Sequence, residues 1–174
     1  MRLIPLVFCV VGVAACGGGS AESPLTISLG LSHDGTEQAL KRHQFCLETK
    51  SSDVKYTQQK QKYPRCERTA SEQGDAWVVA RYQGDKLIEL RRFERYSDDN
   101  QAVARWNELV TERMKIAQPS EEALLQIKDR GQIEAGTRTV KAFKNADGTV
   151  VGVYLLTPSA PENANILERV SYVQ

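Results

Sequence analysis

The sequence predicts a single α+β domain, built on an antiparallel sheet of about five strands with helices packed on one face. Several β-prone runs are joined by short turns rich in glycine, aspartate and asparagine, which is typical of antiparallel hairpins. Between the hairpins, apolar residues recur at spacings of three and four and predict helices. The chain has 174 residues, which is the size of one domain.

The first predicted helix spans residues 36–48. Leu40 and Leu47 recur there at roughly helical spacing, with either His43 or Phe45 between them. An Asp-Gly pair precedes the segment and is a common turn signal. We therefore expect an amphipathic helix that buries this apolar side.

A polar loop and a hairpin follow. Residues 49–73 are rich in Ser, Gln, Lys and Glu with little apolar periodicity, and they predict a long loop. The runs 76–82 and 87–96 are β-prone, and the Gln-Gly-Asp-Lys segment between them is a tight-turn signal. These two runs predict a hairpin.

Two helices are predicted between the hairpins. Ser97 is the candidate N-cap of a helix over 97–117, and Pro119 ends it. Its inward stripe consists of Ala102, Val103, Trp106, Leu109, Val110, Arg113 and either Met114 or Ala117. Ser120 caps a shorter helix over 120–130, with Glu121 and Glu122 in its first turn, Leu124 and Ile127 inward and Gly131 after its last turn.

The last third of the chain is predicted to form strands. Residues 138–144 and 149–157 flank an Asn-Ala-Asp-Gly segment, which is a strong hairpin signal. The second of these runs is apolar on both alternating faces, as expected of a central strand. Residues 167–173 add one more strand. Trp77 and Trp106 are predicted core residues, near the contact between sheet and helix.

The N-terminal stretch differs from the rest of the chain. Arg2 is followed by an apolar run over 3–13 and then by the segment Val13-Ala14-Ala15-Cys16. The run is too short to cross a bilayer, which takes about 20 apolar residues. A positive residue, a short apolar core and small residues before a cysteine resemble the signal peptide and lipobox of bacterial lipoproteins.

The resemblance implies that residues 1–15 are removed and that Cys16 carries a diacylglycerol and further acyl chains such as palmitate. Such a protein is held in the membrane by its lipid without spanning it. Gly17, in place of aspartate, favours the outer membrane, with the domain facing the periplasm. Residues 16–24 then form a flexible tether, of typical reach about 15 Å, before a domain over 25–174. An ordinary secretory signal cut at the same place is the alternative.

The cysteines follow from the same resemblance. Cys9 lies in the signal and Cys16 in the lipobox, which leaves Cys46 and Cys66 in an oxidising compartment. Two remaining cysteines pair most simply with each other, so we predict a disulfide. A metal site or a redox pair is the alternative, although the chain has no C-x-x-C motif and only two histidines.

The charges of the chain are balanced. Lys and Arg number 23 against 22 Asp and Glu, which argues against a nucleic-acid binder. The stretch 41–68 is more basic, and it predicts either a solvated loop or a contact with anionic lipid headgroups. The candidate headgroup contacts are Lys55, Lys60, Lys62 and Arg65. A second cluster, consisting of Arg91, Arg92 and Arg95, predicts an edge strand protected by charge.

Catalytic signatures are weak. Ser52 and Lys55 fit S-x-x-K but lack its companion motifs, and His33 and His43 are predicted to be solvated side chains. We expect no metal and no cofactor. The sequence therefore favours a non-catalytic lipoprotein of the cell envelope that serves as an interaction or assembly-accessory module with an envelope protein partner. A periplasmic binding protein for a small molecule or lipid is the alternative, and a small hydrolase is the least supported hypothesis.

Overall fold

The computed structural model describes residues 23–47, 59–67 and 75–172, except for the side chain of Pro161. These residues form an α+β domain, which confirms the predicted class, although the sheet has six strands and not five. In chain order the elements are α1 (His33–Arg42), β1 (Lys60–Pro64), β2 (Asp75–Gln83), β3 (Lys86–Arg95), α2 (Asp99–Met114), α3 (Glu121–Asp129), β4 (Thr137–Lys144), β5 (Thr149–Leu156), a short 3₁₀ turn (Pro161–Asn163) and β6 (Ile166–Tyr172). The predicted signal peptide, Cys16 and Lys55 lie outside the described residues.

The sheet is antiparallel throughout, in the order β1-β2-β3-β6-β5-β4. The last strand, β6, returns between the two predicted hairpins and pairs with both β3 and β5. Arg92 lies opposite Glu168 in the β3–β6 register. Every residue of β5 is buried, which confirms its prediction as a central strand.

The helices lie on both faces of the sheet, and not on one as predicted. α1 and α2 share a core with Leu90 and Val153, whereas α3 packs with Trp77 and Tyr154 on the opposite face. The reason is the link between α2 and α3: its backbone pairs with edge strand β4, where the Ser120 amide donates to the Ala142 carbonyl at 3.0 Å. The chain thus passes around the sheet edge. We call the two sides the α1/α2 face and the α3 face.

The first predicted helix is displaced. It spans His33–Arg42 in place of 36–48, because Ser32 caps it earlier and the chain leaves the helix at Gln44, whose φ is 63°. Phe45 then forms a bridge with Arg65. The segment 49–73, predicted as a loop, contains strand β1. Its polar sequence gave no signal for strand pairing.

The predicted disulfide joins these two regions. Cys46 and Cys66 are bonded, 20 residues apart in sequence. Backbone hydrogen bonds flank the bond, from the Cys46 amide to the Pro64 carbonyl and from the Cys66 amide to the Gln44 carbonyl, each 2.9 Å. The disulfide therefore holds the end of α1 against edge strand β1.

Both hairpins are confirmed, as are the two helices between them. The cap of α2 is Asp98 and not Ser97, while Ser120 caps α3 as predicted and accepts a hydrogen bond from the Ala123 amide. Of the two alternatives at the end of α2, Ala117 packs against the core and Met114 is exposed. Trp106 also packs against this core and donates to the Val153 carbonyl at 3.1 Å.

Candidate functional site

The α1/α2 face encloses an unusual group of charged side chains. Five of them, Arg92, Glu94, Arg105, Arg113 and Glu168, are each at most 8% exposed, and we call them the ion cluster. Arg92 lies 3.1 Å from Glu94 and 3.4 Å from Glu168. Arg105 binds Glu94 at 2.9 Å, and Arg113 binds Glu168. Buried charges are tolerated only when paired in this way.

The electrostatics of the ion cluster favour its charged form. Burial by itself raises the pKa of Glu94 and Glu168, but the neighbouring guanidinium of Arg92 outweighs it, with Arg105 or Arg113, and holds both pKa values below the usual value. The cluster also binds the first described segment of the chain. Arg92 donates to the Ser23 carbonyl at 2.5 Å, and Arg113 donates to the Leu25 carbonyl at 2.9 Å. Its role is therefore to fasten this segment to the sheet.

The two histidines are buried, so the prediction that they are solvated is wrong. His33 is 1% exposed, stacks on the Tyr82 ring at 3.8 Å and binds Asp85 through Nδ1 at 2.7 Å. This contact joins α1 to the β2–β3 turn. His43 is 8% exposed, and burial, with Arg92 nearby, lowers its pKa. Both positions are explained by packing at the ends of α1.

The predicted charged edge is also wrong. β3 is an interior strand between β2 and β6, because β6 pairs with it. Side chains alternate between the two faces of a strand, so the three arginines of β3 are divided. Arg92 belongs to the ion cluster on the α1/α2 face, whereas Arg91 and Arg95 lie on the α3 face.

The α3 face is covered unevenly. Among the described residues, α3 packs mainly against β4 and β5 and reaches the half formed by β1, β2 and β3 only at the edge of its core cluster. Strand register brings five basic side chains together on this half, which are Lys60, Lys62, Arg81, Arg91 and Arg95. We call them the basic surface. They come from three adjacent strands, so the rigid sheet fixes their spacing.

An aromatic centre underlies the basic surface. Trp77 stacks on Phe93 with ring centroids 5.4 Å apart, and both are at most 5% exposed. The ammonium of Lys62 lies 5.1 Å from the centroid of the Trp77 ring, and the guanidinium carbon of Arg95 lies 5.2 Å from it. Cations over an aromatic face are attracted to it and are held in position. Trp77 is thus a core residue, as predicted, and also the support of two cations.

The basic surface is only partly neutralised. Glu89 binds Arg81 at 3.0 Å and Arg91 at 3.3 Å, and Glu134 binds Arg91 at 3.3 Å. The other three cations, Lys60, Lys62 and Arg95, have no carboxylate partner in the part of the chain that the structure describes; the Arg95 guanidinium donates to the Asn163 and Glu162 carbonyls, each at 2.9 Å. Their positive charge is available to an anion from outside the domain.

A cavity of about 250 Å³ opens in the same surface. Its floor is apolar and consists of Val79, Phe93, Leu156 and Leu167; its rim is charged and consists of Lys60, Arg81, Arg91, Glu134 and Glu162. A small apolar body with a negatively charged end fits this combination where it faces Lys60, Arg81 and Arg91, because the floor excludes water and these three side chains supply opposite charge.

The structure separates the residues predicted to contact headgroups. Lys60 and Lys62 belong to the basic surface, whereas Arg65 follows β1 and is partly buried. Ser23 belongs to the predicted tether, and its carbonyl is bound by Arg92 on the α1/α2 face and therefore on the other side of the sheet. The headgroup contact stays a prediction, and this placement does not favour it.

The sequence interpretation missed Arg81, Arg91 and Arg95 as members of a shared surface. Their alternation within β2 and β3 is a signal that places them on the face of Trp77 and Phe93, but the pairing with β1 that brings Lys60 and Lys62 beside them had no sequence signal. Among the described residues, no group of three or more His, Cys, Asp or Glu side chains is placed to hold a metal ion.

Comparisons with protein-family models, curated proteins and solved structures found no match for this chain. None of the helices in the described ranges is long and apolar enough to cross a membrane.

Proposed function

We propose that this chain is a lipid-anchored, non-catalytic interaction module of the bacterial cell envelope, which binds an acidic segment of an envelope protein at the basic surface. The lipobox motif ending at Cys16 supports the anchor and, with Gly17, an outer-membrane position facing the periplasm. The observation that carries the binding role is the pair of cations, Lys62 and Arg95, that lies over Trp77 without a carboxylate partner among the described residues, with Lys60 on the same face of β1.

The geometry suits a protein segment. Lys60, Lys62 and Arg95 offer charge over a width of three strands, and the cavity beside them accepts an apolar side chain. Aromatic and arginine side chains are the residues that most often carry binding energy at protein interfaces. The complementary partner is an acidic segment that also presents one apolar side chain.

Site-specific photocrosslinking in cells tests the binding role. A photoreactive amino acid at Lys60 is expected to form an adduct with one envelope protein, and the crosslinked peptide, identified by mass spectrometry, is expected to be acidic. The same group at Leu125, which is 57% exposed on α3, is the control. The proposal fails if adducts form equally at both positions, if none forms at Lys60, or if the crosslinked peptide carries no net negative charge.

The anchor has a separate test. Metabolic labelling with palmitate is expected to mark the chain and to be lost in Cys16→Ser. The mature protein is expected to begin at Cys16 when its N-terminal peptide is analysed. An unlabelled protein, cut at the same place with Cys16 free, supports the ordinary secretory signal instead.

A second candidate function rests on the cavity alone. Its apolar floor and the three basic side chains of its charged rim also fit a small amphipathic anion, such as a carboxylate with an apolar body. Native mass spectrometry of protein purified from cells distinguishes the two roles. A bound molecule lost in Arg81→Glu supports the small-ligand role, and a mass equal to that of the lipidated chain supports the protein-binding role.

A further inference from the structure

The first described residues, Ser23 and Pro24, have a fixed position on the domain. Ser23 and Pro24 line a groove of about 520 Å³ together with Lys115 and Ile116, which follow α2. The Ser23 carbonyl is held by the fully buried Arg92, so this end of the segment is fixed to the domain and not free to move away from it.

Exposed apolar side chains gather beside this place. Five large apolar side chains are exposed among the described residues, and two of them, Met114 at 49% and Ile116 at 55%, flank Lys115. A second open groove, of about 580 Å³, runs from these residues to Lys144 in the β4–β5 hairpin. We call Ser23, Met114, Lys115 and Ile116 the tether-side surface.

Folding does not account for this exposure. Ala117 packs into the core next to them, and the following backbone pairs with β4, so the connection between α2 and α3 is held without Met114 and Ile116. Two exposed apolar side chains on either side of a lysine suit a lipid interface, where the lysine stem lies along apolar material and its charge stays in water.

We propose that the tether-side surface lies against the bilayer that holds the lipid of Cys16, with Met114 and Ile116 in the interfacial region. This inference rests on the lipid anchor proposed above. Six residues lie between Cys16 and Ser23, so the seven steps from one Cα atom to the other span at most about 25 Å. The surface where the chain reaches the domain is therefore never far from the membrane.

The charges of this surface fit anionic phospholipid. Lys115 is 69% exposed and lies 3.7 Å from Glu112, a loose pair that leaves the ammonium in solvent. Arg42 lines the groove beside Ser23, whereas Lys144, at the far end of the second groove, is already bound by Glu122 at 3.0 Å. Basic side chains near an anionic leaflet are attracted to it.

The orientation has a consequence for the basic surface. The groove beside Ser23 lies on the α1/α2 face, whereas the basic surface lies on the α3 face. When the tether-side surface contacts the bilayer, the sheet separates the basic surface from the lipid. Lys60 and Lys62 then remain accessible to a protein partner.

Depth-dependent fluorescence tests this orientation in the full, lipidated chain. The protein is reconstituted into vesicles of phosphatidylethanolamine and phosphatidylglycerol, with an environment-sensitive dye on a single introduced cysteine. Three variants are compared: Ile116→Cys on the tether-side surface, Leu125→Cys on α3 as the matched exposed apolar control, and Lys62→Cys on the basic surface. The disulfide occupies Cys46 and Cys66, and the lipid occupies Cys16, so the label is specific.

We expect a blue-shifted emission and several-fold stronger quenching by brominated phospholipid for the dye at position 116, with dyes at 125 and 62 remaining in water. Equal quenching at all three positions, or quenching at 62 alone, overturns the orientation. If the dye at 116 stays in water while the protein floats with the vesicles, this inference fails and the anchor stands. A protein that does not float with vesicles contradicts the anchor itself.

Discussion

The two faces of the sheet both concentrate arginine and glutamate, but they use them differently. On the α1/α2 face, Arg92, Glu94 and Glu168 are buried and paired, and they bind the backbone of the first described segment. On the α3 face, Lys62 and Arg95 lie over Trp77 without a carboxylate partner among the described residues. The charges inside the protein pair with each other and hold the fold together, whereas the surface cations without a carboxylate partner among the described residues are the ones on which the proposed binding role rests.

The largest expected effect comes from breaking the ion cluster. Glu168→Gln leaves Arg92 and Arg113 without their shared carboxylate in a buried site, and breaking such a pair costs about 3–5 kcal/mol. Urea unfolding followed by tryptophan fluorescence measures the change. The matched variant Glu122→Gln removes a partner of Lys144 that is 62% exposed, and should cost about 1 kcal/mol or less. Equal losses in both variants would contradict a structural role confined to the buried cluster.

Removal of the disulfide is expected to rank next. Replacing Cys46 and Cys66 with alanine frees a loop of about 20 residues in the unfolded chain and lowers the free energy of unfolding by about 3 kcal/mol. The bond connects the end of α1 to β1, so edge strand β1 should lose hydrogen-exchange protection first. Unchanged protection of β1 in the variant would show that strand pairing alone holds this edge.

The pH dependence of stability tests the buried charges of the α1/α2 face. The pKa of His43 is below 6.5 in the folded protein, so the unfolded chain takes up a proton first and stability falls as pH drops below about 6.5. The pKa values of Glu94 and Glu168 lie below 4.5, so their contribution is lost at more acidic pH, as they protonate. Urea midpoints between pH 7 and 4 should fall throughout, and His43→Gln should remove the earlier part of the decline. A wild-type midpoint that rises on acidification would contradict the assigned directions.

The smallest effect on stability is expected on the basic surface. Lys62→Gln removes an exposed cation over Trp77, an interaction worth about 0.5–1 kcal/mol. Urea unfolding should therefore show little change, while the photocrosslinked adduct at Lys60 should weaken. Lys128→Gln, an exposed lysine in the last turn of α3, is the control and should affect neither. A loss of stability as large as that of Glu168→Gln would place Lys62 among the structural residues.

Local signals explain what the sequence could predict. The hairpins follow from their turns, where Gly84 and Gly148 adopt positive φ, and α3 follows from its Ser120 cap. The disulfide could be predicted because the lipobox resemblance accounts for two of the four cysteines and leaves only two to pair.

Non-local pairing explains what it could not. β1 has a polar sequence and exists because β2 supplies its hydrogen bonds. Arg92 and Glu94 look like exposed residues of a charged strand, and only the distant Glu168 and Arg105 make their burial possible. The basic surface likewise depends on the pairing of β1 with β2, for which no turn or spacing gave a signal.

Charge reversal at the basic surface tests the central claim most directly. In cells that carry the photoreactive group at Lys60, Lys62→Glu is compared with Lys128→Glu for the yield of the crosslinked envelope protein. The binding role predicts that Lys62→Glu abolishes the adduct, while Lys128→Glu and the amount of folded protein stay unchanged. An adduct of equal yield in both variants would contradict the assignment of this surface as the partner site.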